Sequence, residues 1–311
     1  MTAVAAGKAG VSPRYSVIIP HFSDERRLER LLRSLPYDRP DLQVIVIDDG
    51  GPQSAEIEAL RRLWPSVQWA ATASRSGAGV ARNIGLDLAR GEFLVFADSD
   101  DEFLPGAFEV FDRSLRPGDE LVYFLAEAVR EVDGVPCERA TGYNALVTAF
   151  ARSDRMDAGR ELRLQHVVPW AKVYGRAFIA TSGLTHESFR HANDVAFNVR
   201  AAVRARYLRA ELFPVYRVYR RPGSMTSDRS ERAFMERFMA IRSLAFLLEA
   251  DGFTTAVPAT GHILMSLQYG PRCTWRVVRL ALRSPMVISW ERAFDVARWW
   301  RFFRRSGHVK A

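Results

Sequence analysis

The sequence predicts an α/β fold on a mixed, mainly parallel sheet flanked by helices, followed by a helical carboxy-terminal region. Three observations predict it. Strand-length apolar runs alternate with helix-period segments through the first hundred residues, the order of parallel strands joined by helical crossovers. Two of those runs end in carboxylates, Asp48–Asp49 and Asp98 to Asp101, where such sheets bind their ligands. Beyond residue 228, apolar positions recur at helical spacing only.

The first element, "YSVIIP" (15–20), is apolar throughout and reads as a buried strand. In "SDERRLERLLRSL" (23–35), Leu28, Leu31, Leu32 and Leu35 mark one helical face, with Ser23 as N-cap. "LQVIVIDDG" (42–50) is the second strand, and a helix follows through Ile57, Leu60 and Leu63. A strand near "VQWAAT" (67–72), a helix in "GVARNIGLDLAR" (79–90) and the strand "EFLVFAD" (92–98) complete the alternation. Phe234, Phe238, Ile241, Leu244, Leu247 and Leu248 then keep a helical period, and no internal repeat or low-complexity run is present.

At 311 residues with 48% apolar and 26% charged residues, the composition excludes disordered and fibrous classes. Two cysteines, Cys137 and Cys273, make no metal cluster or disulfide framework, and point to free thiols in a reducing, cytoplasmic compartment. The amino-terminal 1–13 lacks an apolar core of signal-peptide length and reads as a flexible leader. No window has the length and apolarity of a membrane-spanning helix. From Pro271 onward, nine arginines and Lys310 stand against Glu291 and Asp295, an excess equal to the +8 of the whole chain. Trp275, Trp290, Trp299, Trp300, Phe302 and Phe303 are interleaved with them. Arginine with Trp and Phe on amphipathic helices suits the headgroup layer of an anionic membrane. The expected partner is the anionic inner leaflet; a helical subdomain packed on the core with a solvated basic face stands beside that reading, and nucleic acid is a third. The expected divisions are a leader (1–13), a catalytic domain (14–227) and a helical, basic-aromatic region (228–311).

"GEFLVFADSDDEFLPG" (91–106) carries the chemistry. Asp98, Asp100 and Asp101 lie within four positions, and like charges that close repel unless something positive sits among them. In "ASRSGAGVARNIG" (73–85), Gly77 and Gly79 allow a sharp turn, while Arg75 and Arg82 bring positive charge to a helix N-terminus, a natural anion site.

Taken in order, "SVIIPHFSDERRLERLLRSL", "VIVIDDG", "GVARNIGLDLARGEFLVFADSDDEFLPGAF", "PWAKVYGRAFI" (169–179), "HANDVAFNVRAA" (191–202) and "YRRPGSMT" (219–226) resemble the family 2 inverting glycosyltransferases of bacterial surface-polysaccharide synthesis. That family has the GT-A nucleotide-diphospho-sugar transferase fold, and the resemblance covers about residues 14–226. It implies a nucleotide-sugar donor, a hard divalent ion, Mn2+ or Mg2+, on carboxylate oxygen, and an acceptor glycan.

By the resemblance, Asp98 contacts the donor ribose and, with Asp100, holds the metal, with Asp101 in support and Ser99 leaving room for the diphosphate. Asp48 falls where similar enzymes hydrogen-bond the base; a carboxylate there suits the imide N–H of uracil and favours a UDP-sugar. Family members commonly continue with Gly-Ser, whereas here Asp49 precedes Gly50, Gly51 and Pro52. Pro20 ends the first strand at the base-binding end, and His21 is a rim residue. Asp194 in "HAND" matches the general base, ionised by its place in the first turn of a helix, with His191 as fallback. Asn193 stands where an acid is usual. "PWAKVYG" matches part of the acceptor wall, with Trp170 either stacking on a sugar or packing in the core, and Lys172 approaching phosphate. In "YRRPGSMT", Arg220 or Arg221 and Ser224 would close over the diphosphate. The Gln-x-x-Arg-Trp motif of processive synthases is absent, so one sugar is transferred per encounter. A polyprenyl-diphosphate-linked glycan is the implied acceptor. Two alternatives stand beside this reading. One is a non-catalytic nucleotide-sugar or glycan binding protein of the same fold, encouraged by Asn193. The other is a nucleotidyltransferase, whose Gly- and Arg-rich loop after the first strand "PHFSDERR" lacks.

Overall fold

The computed structural model describes residues 12–51, 54–153, 156–221, 228–253 and 257–288. The chain divides after Asp228 into two compact units.

The first unit is an eight-stranded mixed sheet flanked by helices. Its strands are β1 (Tyr15–His21), β2 (Leu42–Asp48), β3 (Gln68–Ala71), β4 (Phe93–Phe96), β5 (Glu102–Phe103), β6 (Leu121–Arg130), β7 (Lys172–Gly175) and β8 (Leu208–Arg220), in the order β3-β2-β1-β4-β7-β6-β8-β5. β1 to β4 run parallel, while β7 is antiparallel to both β4 and β6. The connecting helices are α1 (Glu25–Arg33), α2 (Ala55–Leu63), α3 (Ala78–Leu88), α4 (Ala107–Ser114), α5 (Thr141–Ala151), α6 (Met156–Gln165), α7 (Arg176–Ser182) and α8 (Val195–Arg204).

The apolar runs are continuous because both faces of the sheet are covered. Alternate residues of β1 part to opposite sides: Tyr15, Val17 and Ile19 join Leu28, Leu31 and Leu32 of α1 in one core. Ile18 joins Ile45, Ile47, Phe96 and, from α8, Phe197 in the other. Pro20 is tolerated inside this strand for a reason of register. In a parallel ladder, residues two apart face the same neighbour, and Ile18 O accepts from Ala97 N on the β4 side. Pro20 faces that side too, one step beyond the last β1–β4 pair, Ile18 with Phe96, so its missing N–H removes no ladder bond.

At the entry to α1 the structure differs from the sequence reading. Ser23 has φ 48° and lies before the cap position, which Asp24 takes without a side-chain capping bond. Ser54 does cap α2, accepting from Ile57 N at 3.1 Å.

The second unit contains α9 (Glu231–Ala250), α10 (Thr260–Ser266), a short 3-10 turn (Leu267–Tyr269) and α11 (Pro271–Leu282). No described helix is long and apolar enough to cross a membrane. The leader up to residue 11 and residues 289–311, with Trp290, Trp299, Trp300, Phe302 and Phe303, lie outside the described residues.

Gly85 sets how closely α3 approaches the sheet. A Cβ there would meet Ile18 Cγ2 at 2.3 Å and Ile47 Cδ1 at 3.0 Å. Ile18 is β-branched and fully buried, so it has nowhere to go. Gly85→Ala is therefore expected to destabilise the protein in urea denaturation: overpacking costs about 1–3 kcal/mol, against about 1 kcal/mol of helix propensity gained.

Candidate active site

The carboxyl ends of β1, β2 and β4 bring the acidic motifs together with α3 and with the segment that opens α8. Just past β4, Asp98 accepts from an Arg82 terminal nitrogen at 2.6 Å through Oδ1. The other terminal nitrogen of Arg82 donates to Asn193 Oδ1 at 2.9 Å. Arg82 lies one turn inside α3 and is only 4% exposed. The sequence reading gave it an open anion at the helix N-terminus; instead its fork is filled by Asp98 and Asn193. The helix end itself is also occupied. Asp49 accepts from Ser76 N and Gly77 N, both at 2.8 Å, and its Oδ1 also accepts from Thr72 Oγ1. The chain supplies its own anion there, so Asp49 is a turn-fixing residue. Arg75 is exposed, with its guanidinium 3.8 Å from the Phe22 ring centroid.

Asp48 ends β2 and is 3% exposed, its Oδ1 accepting from Gly51 N at 2.9 Å. Gly50, at φ 69°, lets this turn touch the 74–75 backbone, where a Cβ would come within 2.5 Å of Arg75 N. Pro20 is buried in register with Ile47. His21 corrects the rim assignment: it is 3% exposed, and burial lowers its pKa and favours the neutral ring.

Within the acid motif the three carboxylates have different surroundings. Asp100 accepts from Arg221 Nε at 3.0 Å, and its backbone oxygen accepts from Arg30. Burial, and then the charge of Asp98, raise the Asp100 carboxyl above its ordinary range, while Arg221 opposes. Asp101 is 1% exposed: Oδ1 accepts from Tyr219 N at 2.9 Å, and Oδ2 has no partner. Burial and its two acidic neighbours push Asp101 well above a normal carboxylate. Of the two arginines that sequence left equivalent, Arg221 faces the acids, while Arg220 is exposed at the end of β8. Ser224 lies outside the described residues.

Among the described residues, no group of three or more His, Cys, Asp or Glu side chains converges on a metal position. Asp98 and Asp100 nevertheless suit a hard cation, which is commonly held by one or two carboxylates while phosphate oxygens and water fill the other positions. The raised Asp100 and the unpartnered Asp101 Oδ2 mark a place where added positive charge would be stabilising.

Asp194 sits at the N-cap position of α8, and its side chain makes no capping bond. Burial raises its pKa, Arg82 opposes, and Asp98 adds to the rise. This corrects the expectation that the helix dipole governs its ionisation. His191 is buried, with Nε2 3.7 Å from Asp228 Oδ2.

The "PWAKVYG" residues act from beneath the site. Trp170 is 2% exposed and offers no face to a sugar; it lies parallel to Tyr216, ring centroids 6.4 Å apart. Tyr216 in turn accepts from Asp98 N at 2.9 Å. Lys172 is fully buried and cannot approach a phosphate. Its Nζ donates to His166 O at 2.6 Å and to Asn198 Oδ1 at 2.9 Å. The Tyr174 hydroxyl donates to the same Oδ1, and Asn198 Nδ2 reaches Asp194 O at 2.8 Å. Tyr216 and Asn198 were missed by sequence reasoning. Asn198 left a signal, as the lone polar residue in the apolar run from Val195 to Val199; "PVYRVYR" gave no hint of the Tyr216 hydroxyl.

A model of glycosyl transferase family 2 matches residues 16–174. The chain is 30% identical over 222 residues to the uncharacterized glycosyltransferase YibD of Escherichia coli, covering 65% of this chain and 61% of that protein. It is 23% identical to the GalNAc(5)-diNAcBac-PP-undecaprenol beta-1,3-glucosyltransferase of Campylobacter jejuni, covering 77% of this chain and 75% of that one. Among solved structures, Staphylococcus aureus TarS 1–349 in complex with UDP-GlcNAc superimposes with a TM-score of 0.57 at 20% identity, over 75% of this chain and 66% of that one. At that identity the likeness is one of fold. The chain thus spans about three fifths of YibD's length.

Asn198→Leu should strand the buried Tyr174 hydroxyl and leave Lys172 Nζ with His166 O alone. Chemical denaturation should show a loss of about 1–3 kcal/mol for that stranded group. A loss no larger than that of an exposed substitution would refute the support role.

Proposed function

The chain belongs to glycosyltransferase family 2, and from that premise we propose that it transfers one sugar, with inversion, from a nucleotide-diphosphate donor to a glycan acceptor. The observation that carries this reading is the Arg82 fork, which joins Asp98 of the acid motif to Asn193 beside Asp194. One buried cation thereby ties the donor end to the candidate base.

In this reading Asp98 meets the donor ribose, and Asp98 with Asp100 holds Mn2+ or Mg2+. The ion would neutralise the leaving diphosphate. Arg221, beside Asp100, adds positive charge from the protein on the same side. Asp194 takes the proton of the acceptor hydroxyl while the acceptor oxygen bonds to the anomeric carbon and the bond from that carbon to the diphosphate oxygen breaks. A base with a raised pKa is the better proton acceptor, provided it is still ionised at the working pH. Asp48 at the end of β2 supports a uridine donor, as does the UDP-GlcNAc held by TarS. The polyprenyl-linked substrate named for the Campylobacter relative supports a lipid-linked glycan acceptor. A glycan- or nucleotide-sugar-binding protein without transfer is the second reading, favoured by the neutral Asn193.

Asp194→Asn is the direct test. Nucleotide binding should stay within about twofold of wild type, while UDP release from UDP-sugars, with bacterial membrane extract as acceptor, should fall about 10²–10⁴-fold. Wild type that binds UDP and never turns over would favour the binding reading.

Asp194 must be ionised to act, so kcat/KM should fall as pH drops through its raised pKa. The acid limb should therefore lie above the ordinary carboxylate value near about 4. A limb at or below that value would remove Asp194 from the role.

A further inference from the structure

α11 presents an exposed basic face with no carboxylate partner among the described residues. Cys273, Val277 and Ala281 are buried on one side, and the Cys273 sulfur lies 3.9 Å from Met235 Sδ of α9. Arg242 of α9 holds the carboxyl end of α11, donating to Leu280 O at 3.1 Å and Arg283 O at 3.2 Å. The opposite side is exposed. At 100° per residue, Arg272, Arg276, Arg279 and Arg283 fall in one narrow sector, with Trp275 and Leu282 along one edge of it.

Two observations set this face apart from an ordinary solvated one. α11 contains no acid, and none of the four guanidiniums is paired with a described carboxylate, whereas Arg27, Arg39 and Arg217 of the first unit all are. Trp275 and Leu282, two turns apart, are each 69% exposed. An aromatic and an aliphatic side chain edging a row of unpaired arginines match the chemistry of a lipid interface, with phosphate beside hydrocarbon.

We propose that this face of α11 docks on an anionic lipid bilayer, with the helix in the headgroup plane, the arginines on lipid phosphates, and Trp275 and Leu282 entering the acyl boundary. RNA also takes arginine and stacks on Trp, but it has no use for Leu282. The proposal concerns the second unit and does not rest on the donor site.

The test is cosedimentation of the full chain with vesicles of phosphatidylglycerol and phosphatidylcholine, or of phosphatidylcholine alone, across a salt series. Wild type should bind the anionic vesicles, and less as salt rises. Arg272→Gln/Arg276→Gln should lower the partition about thirtyfold, at about fivefold, or ~1 kcal/mol, per basic residue. Trp275→Ser/Leu282→Ser should weaken binding even in high salt, and both variants should bind UDP as wild type does. Unchanged partition of the arginine variant, or equal binding to neutral vesicles, would overturn the proposal. So would tighter binding to single-stranded RNA than to vesicles, or dimerisation lost in the Trp275/Leu282 variant without any vesicle binding.

Discussion

A buried guanidinium is the constraint around which this site is arranged. Taking an arginine out of water costs several kcal/mol unless a counter-charge and hydrogen-bond acceptors replace the solvent. Arg82 meets most of that demand with Asp98 on one terminal nitrogen and Asn193 on the other, while its buried Nε has no hydrogen-bond partner among the described residues. Two glycines of α3 allow the close fit: Gly85 against Ile18, and Gly79, where a Cβ would meet Glu187 O at 2.1 Å. Asn83 joins the same segment, exchanging two hydrogen bonds with the His186 backbone. The end of β4 and the start of α8 are thereby held to one another through α3. Asn193 is then more than a lost acid: a second carboxylate there would compete with Asp98 for the same cation, whereas the amide oxygen accepts from Arg82 and leaves the full charge to Asp98.

A second set of contacts holds the same two ends from below. Trp170 backs Tyr216, which holds the Asp98 backbone, while Lys172 and Tyr174 hold Asn198, which holds the Asp194 backbone. Both chains of contact start at the entry to β7, the antiparallel strand between β4 and β6. This explains why one short motif carries a Trp, a Lys and a Tyr that never meet solvent. They fix the backbones of Asp98 and Asp194.

The sheet was legible because both of its faces are covered, so that its strands read as unbroken apolar runs between helix-period segments. The acid-ended strands were legible for the same reason, since a carboxylate stands out at the end of a buried run, although Asp49 turned out to fix a turn. What could not be read was side-chain direction across long separations. Arg82 and Asn193 are 111 residues apart, and nothing near either one says that they touch. Lys172 and Trp170 were placed at the acceptor wall by the family resemblance; burial decides Trp170 for the core, the alternative already open, and takes Lys172 away from phosphate. Ser23 is a good cap by residue type, yet its backbone turns to φ 48° as the chain leaves β1. Arg220 and Arg221 were indistinguishable until β8 proved to end at Arg220, with Arg221 just beyond it paired to Asp100.

The central claim is that Asp98 and Asp100 form the diphosphate end of a nucleotide site. It is tested most directly by calorimetric titration of UDP, with and without Mn2+, into wild type and Asp100→Ala. Binding should require the metal in wild type and be lost in the variant, with the fold intact by circular dichroism. Binding of UDP that is indifferent to both Mn2+ and Asp100 would contradict it.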